Sequence, residues 1–207
     1  MEISYADVAW LADDHGLGDL WCLTFVRGLD ETEALRRVGA EESSIRPLTY
    51  EELVDEGLFP DTLLAGRLGD WAVLIEEYGW DALDAVKTLS AGSEAVSVLR
   101  HDYAADRFAY AVDGQVVTAF NPMIPAWRYG SDPDRLVSLM REAGFDPAYA
   151  PGDGTDEDSE ERTARHPRVD GALMLVARLT GVMLTREVLN GPLLGGDVGP
   201  RQQSPES

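Results

Sequence analysis

The stretch Arg107-Phe-Ala-Tyr-Ala-Val-Asp-Gly-Gln-Val-Val-Thr-Ala-Phe120 decides the fold class of this chain. Two runs of aromatic and β-branched residues flank Asp113-Gly114. A two-residue type I′ turn needs positive φ at both central positions, which this dipeptide tolerates better than almost any other. A β-hairpin is expected, with Phe108, Tyr110 and Val112 on one face and Val116, Thr118 and Phe120 alternating likewise on the partner strand. Residues 95–99 have the same composition, and with a turn over residues 101–106 they extend the hairpin into a meander.

Working outward, residues 20–26 (Leu-Trp-Cys-Leu-Thr-Phe-Val) are apolar on both faces and read as an interior strand. Residues 71–75 read as another, introduced by Gly69-Asp70. Helix starts recur in the same half. Ser4 with Asp7 opens a helix over residues 4–14 carrying Val8, Leu11 and Ala12, Asp30 with Glu33 opens one that closes at Gly39, and Thr49 with Glu52 opens one ending near Gly57. Leu83, Val86 and Leu89 mark a short crossover helix over residues 81–89.

Beyond the hairpin, Asp132 is expected to cap a helix whose first residue is Pro133, with Leu136, Leu139 and Met140 as its buried stripe and Gly144 as its stop. Residues 151–165 read as a flexible acidic loop, residues 169–183 as a core helix, residues 185–190 as a short segment, and residues 195–207 as a disordered tail. The expected fold is α+β, a mainly antiparallel sheet with a β-meander packed by several α-helices, in a single domain over residues 1–194.

Composition narrows the function. The single cysteine, Cys22, excludes an intramolecular disulfide and any cysteine-based metal cluster, and fits a reducing, cytoplasmic location. Neither a signal peptide nor a membrane span is legible. The formal charge is −21, and residues 1–106 alone hold 23 acidic against 7 basic side chains. Such a field repels phosphate backbones, disfavouring direct nucleic-acid binding, and attracts a basic protein partner. Solubility is the competing explanation of the charge. Lys87 is the only lysine, an arginine bias of the kind a GC-rich genome produces.

No catalytic constellation emerges. His15, His101 and His166 are far apart, so no metal site is assigned, and Gly16-Leu-Gly18 lacks the third glycine of a dinucleotide fingerprint, so no cofactor is assigned either. Ser90 and Ser93 do not sit in a nucleophile elbow, and Cys22 lies mid-strand where burial keeps a thiol inert. Two surfaces remain. In the loop over residues 121–135, Trp127, Arg128 and Tyr129 lead into a helix N-terminus whose N–H groups suit an anion beside Arg128, Asp132 and Arg135. The competing reading has Asp132 filling that N-terminus and Trp127 packed on the core. Trp71 alternates inward with its strand, whereas Trp80 lies outside it and is the better candidate for contacts.

Five blocks, Trp21-Cys-Leu-Thr-Phe-Val-Arg-Gly, Gly69-Asp-Trp-Ala-Val-Leu-Ile-Glu, Tyr110-Ala-Val-Asp-Gly, Gly130-Ser-Asp-Pro-Asp-Arg-Leu and Leu179-Thr-Gly-Val, together resemble an actinobacterial family of uncharacterised proteins, the domain of unknown function 6461 family. The resemblance implies an actinobacterial cytoplasmic protein with one domain, and it carries no established activity, cofactor or catalytic residue over to this chain. SUKH-type immunity proteins are similar in general shape alone. The leading expectation is a non-enzymatic protein-interaction module, in its sharpest form an immunity-like inhibitor of a basic partner. The alternative is a small-molecule or anion-binding protein, an enzyme among the forms it takes, with its site at the loop 121–135.

Overall fold

A computed structural model of the chain describes residues 3–11, 17–101, 105–150 and 168–199. Eight strands, β1 (Leu20–Arg27), β2 (Arg46–Leu48), β3 (Thr62–Leu68), β4 (Trp71–Glu77), β5 (Glu94–His101), β6 (Arg107–Val112), β7 (Gln115–Phe120) and β8 (Leu193–Asp197), form one sheet. Its order is β2-β8-β3-β4-β1-β5-β6-β7 and every pairing is antiparallel. β1 is the interior strand its composition requires: Trp21, Leu23 and Phe25 enter one buried layer, and Val26 on the other side enters a second.

The β6–β7 hairpin turns at Asp113 (φ 49°) and Gly114 (φ 78°), as expected. Its register differs from strict alternation. A bulge at Tyr110/Ala111 pairs Val116 with Ala111 while Thr118 still opposes Tyr110 and Phe120 opposes Phe108. The extra residue a bulge inserts sends Val116 to the opposite face and brings Val117 to the main core.

Two strands and part of a third correct the sequence reading. β3 carries Gly66, which lowers its strand signal, yet the glycine is a packing device. A Cβ there would lie 2.8 Å from Leu193 Cδ2 and 3.2 Å from Val188 Cγ1. β3 joins β4 through Gly69-Asp70, where only the first turn position (φ 61°) is left-handed, the requirement of a type II′ turn. β2 is the short edge strand of this end. Residues 195–197, the start of the expected tail, are instead the second half of β8, since Gly195 and Gly196 pair with β3 and pack without side chains against Leu48 and Ala40.

Helices cover both faces of the sheet. Those in the first half are α1 (Tyr5–Ala9), α2 (Glu31–Val38), α3 (Tyr50–Asp55), α4 (Asp81–Asp84) and α5 (Val86–Leu89), with a 3-10 turn at Glu42–Ser44. The later ones are α6 (Val137–Glu142), α7 (Val169–Thr180) and α8 (Arg186–Leu189). α1, α3, α6, α7 and α8 bury Val8, Leu53, Met140, Leu173 and Leu189 in the larger core. α2, α4 and α5 bury Leu35, Ala82 and Leu89 on the opposite face. Asp30 caps α2 through the Glu33 N–H (2.7 Å) and Gly39 ends it at φ 104°, while Thr49 and Glu52 form the capping box of α3. Residues 81–89 break at Ala85 into two short helices that carry the chain from β4 across β1 to β5.

Asp132 caps no helix, because α6 begins five residues later. The N–H groups of Ser131 and Asp132 bond the carbonyls of Val116 and Val117, which ties this segment to the edge of β7, and the chain must turn again before helical geometry begins. The end of the first helix at residues 12–14, the turn at 102–104, the acidic loop and the tail from residue 200 lie outside the described residues.

Candidate functional site

A cleft of about 600 Å³ opens at the β2–β8–β3 end of the sheet, between the C-terminus of α2 and the segment after α3. Its charged lining is Glu41, Asp61 and Asp197 against one cation, Arg46, and Phe59 forms part of its wall. The backbone holds these carboxylates in place. Glu41 N–H donates to the Asp197 carbonyl and Val198 N–H to the Asp61 carbonyl, both at 2.8 Å. The Ser44 hydroxyl accepts the Asp197 N–H (2.8 Å) while donating to the Glu41 carbonyl (2.7 Å), and Thr62 donates to Asp197 Oδ1 (2.7 Å). Arg46 lies 3.8 Å from Glu56, a pair exposed enough to contribute little. Among the described residues no three acidic, histidine or cysteine side chains are placed to share a metal ion.

Phe59 links this cleft to a second feature. Its ring stacks on Tyr78 at 5.3 Å, and Tyr78 is 46% exposed and held at φ 56°, a conformation rare for a bulky residue. Beside it Tyr50 donates to Glu77 Oε2 at 3.0 Å. Burial pushes the Glu77 carboxyl above its ordinary range by more than the tyrosine bond lowers it, and burial with the neighbouring carboxylate pushes the Tyr50 hydroxyl up as well. Val54, one turn along α3 from Tyr50, is exposed, as are Glu51 and Asp55. The arrangement is an apolar and aromatic surface set among carboxylates, which suits a cationic chain with alkyl stems.

The residues singled out from sequence are placed otherwise. Arg128 is a loop pin. Its Nη1 donates to the carbonyls of Pro125 and Pro147, both at 2.5 Å, and its Nη2 to Asp134 at 2.7 Å. No contact joins it to Asp132 or Arg135, both of which are exposed. Trp127 is 68% exposed and so does not pack on the core. Trp80 is half-buried, 5.8 Å from the His101 ring, against a small cluster containing Cys22, Leu83 and Leu99. Trp71 is buried, as its alternation requires.

Cys22 is fully buried, 3.3 Å from the Ser97 hydroxyl, and burial together with the Glu76 charge pushes its thiol far up, which leaves it unreactive. Glu76 itself accepts the N–H groups of Asp81 (2.6 Å) and Ala82 (3.0 Å) at the start of α4. The cleft carboxylates escaped the sequence reading because they come from three distant segments, and Asp197 had been assigned to a tail. Their usable signal is Ser43-Ser44 and Thr62, hydroxyls spaced to hold carboxylates and backbone at a strand end.

No helix among the described residues is long and apolar enough to cross a membrane. No curated protein and no solved structure matches the chain. Residues 1–192 match the model of a family of unknown function (DUF6461), and the chain belongs to that family.

Proposed function

We propose that this protein is a non-enzymatic interaction module that captures a basic segment of a protein partner, in the manner of an immunity-like inhibitor covering a basic protein. The observation that carries the reading is the acidic cleft, a preorganised concavity with three carboxylates to one cation, continued by the Phe59–Tyr78 stack and the exposed face of α3. A lysine or arginine side chain entering it meets charge at its tip and aromatic carbon along its stem. The surrounding field, from a chain of net charge −21, steers such a partner during encounter. The single buried cysteine and the arginine bias fit a reducing cytoplasm in an actinobacterial source.

Pull-down from source lysate at low and high salt, with wild type and a Glu41→Gln/Asp61→Asn variant, tests the reading. The expected result is a basic protein held by wild type at low salt and lost both at high salt and with the variant. Recovering no basic protein in any arm, or one that the variant holds equally well, removes the cleft as its site.

A further inference from the structure

At the opposite edge of the sheet the polarity reverses. The second face of the β6–β7 hairpin is built from Ala109, Ala111 and Ala119, whose side chains are too short to fill the layer beneath α4 and α5. The result is a groove of about 380 Å³ between those helices and the hairpin, with Ala109, Ala119, Val116 and Leu83 as its apolar floor. On its rim are Lys87, Arg107 and Tyr129, and the tyrosine is 64% exposed.

What distinguishes these two cations is their place beside an apolar floor. Arg27, Arg36, Arg37, Arg46, Arg67, Arg100 and Arg128 each pair with a carboxylate, whereas among the described residues Arg135 and Arg141, like these two, do not. Among the described residues neither the only lysine nor Arg107 has an ion-pair or hydrogen-bond partner for its side chain. Asp84 is the one carboxylate on the groove lining, which leaves the lining net positive inside a strongly negative protein.

We infer that this groove binds a small amphipathic organic anion, with an aromatic or alicyclic body on the alanine floor beside Tyr129 and a single anionic group between Lys87 and Arg107. The volume lies in the range of small-molecule sites, roughly 300–1,000 Å³. A bare phosphate would leave the apolar floor uncovered. A polyanion such as nucleic acid meets the repulsion of the whole chain, which one localised charge largely escapes. Because β2 and β7 are the two edges of the sheet, this site and the acidic cleft lie at opposite ends, and neither inference depends on the other.

The test uses the full chain with naphthalene-2-sulfonate as the probe, followed by calorimetry and by amide chemical shifts, with 2-naphthalenemethanol as the uncharged analogue and sodium sulfate as the apolar-free one. The sulfonate is expected to occupy one site, shifting the Ala119 and Tyr129 amides. A Lys87→Ala/Arg107→Ala variant, altered only at exposed positions and checked for an unchanged circular dichroism spectrum, is expected to bind it at least about tenfold more weakly, while its weaker binding of the alcohol stays the same. Ala119→Leu, which fills the floor, is expected to weaken both. Absence of sulfonate binding at millimolar concentration, equal affinity in the double variant, or sulfate competing as strongly as the arenesulfonate would each overturn the assignment.

Discussion

The guanidinium of Arg128 is 13% exposed and donates to two backbone carbonyls, whereas its carboxylate partner Asp134 is 76% exposed. The carbonyl bonds therefore outweigh the ion pair. Arg128→Ala should lower stability by about 2–3 kcal/mol, the range for buried bonds to a charged donor, while Asp134→Asn should lower it by less than about 1 kcal/mol. Urea unfolding separates these, and equal losses would mean that the ion pair carries the loop. Glu77 gives a pH-dependent counterpart. Its folded pKa is raised by burial above an ordinary 4.5, so whatever stability its neutral form contributes is fully present below pH 4.5 and is lost as the pH rises through the folded value. At pH 7 the charged, half-buried carboxylate is a net burden. Glu77→Gln, which keeps an acceptor for Tyr50, should raise the thermal midpoint at pH 7, with the gap closing at pH 4 and below. A variant less stable than wild type at pH 7 would contradict this. Under the proposed function the same variant holds its basic partner less well, so stability and binding move in opposite directions.

Elements were legible in proportion to how far local chemistry alone decided them. The Asp113-Gly114 turn, the Asp30 and Thr49 caps and the two-sided β1 follow from local rules, and all are found. β3 and β8 were missed for one shared reason: both carry glycines where a neighbouring side chain occupies the space, information held by the partner strand. At Gly195 a Cβ would meet Leu48 Cδ2 at 2.6 Å, so Gly195→Val should cost about 1–3 kcal/mol by overpacking, or roughly 2–12 °C in midpoint for a chain of this size. Combining it with Leu48→Ala vacates the same volume. The double variant should then be less destabilised than the sum of the two single changes, as contacting sites are. Strictly additive losses in a thermal double-mutant cycle would show that Gly195 serves backbone conformation alone. The helix expected at Pro133 failed for a related reason, because the residues just before it, Ser131 and Asp132, are bonded to the edge of β7. The bulge displaced Val116 in the same non-local way. Neither the acidic cleft nor the cationic groove was readable, since each gathers residues far apart in the chain around a space defined by what small side chains leave empty.

Across the whole molecule, charge is distributed against the stability of the fold. Residues 1–106 carry 23 acidic and 7 basic side chains, and within the cleft Glu41, Asp61 and Asp197 face one arginine that is itself shared with Glu56. Like charges lining one cleft repel through solvent over a distance set by the Debye length, about 30 Å at 0.01 M salt and about 10 Å at 0.1 M. The thermal midpoint at pH 7 should therefore rise with sodium chloride over this range. Removing cleft charge should imitate the salt: Glu41→Gln/Asp61→Asn should raise the midpoint at 0.01 M, and the difference from wild type should shrink at higher salt. Asp197 is left unchanged in that variant because Thr62 donates to its carboxylate and losing the acceptor would add a separate cost. If the variant gains nothing at low salt, the cleft carboxylates are not in mutual strain, and their retention for a cationic partner has no cost to explain. If it gains stability while ceasing to hold a basic partner, the cleft carries charge that folding does not require, the pattern of a site kept for binding.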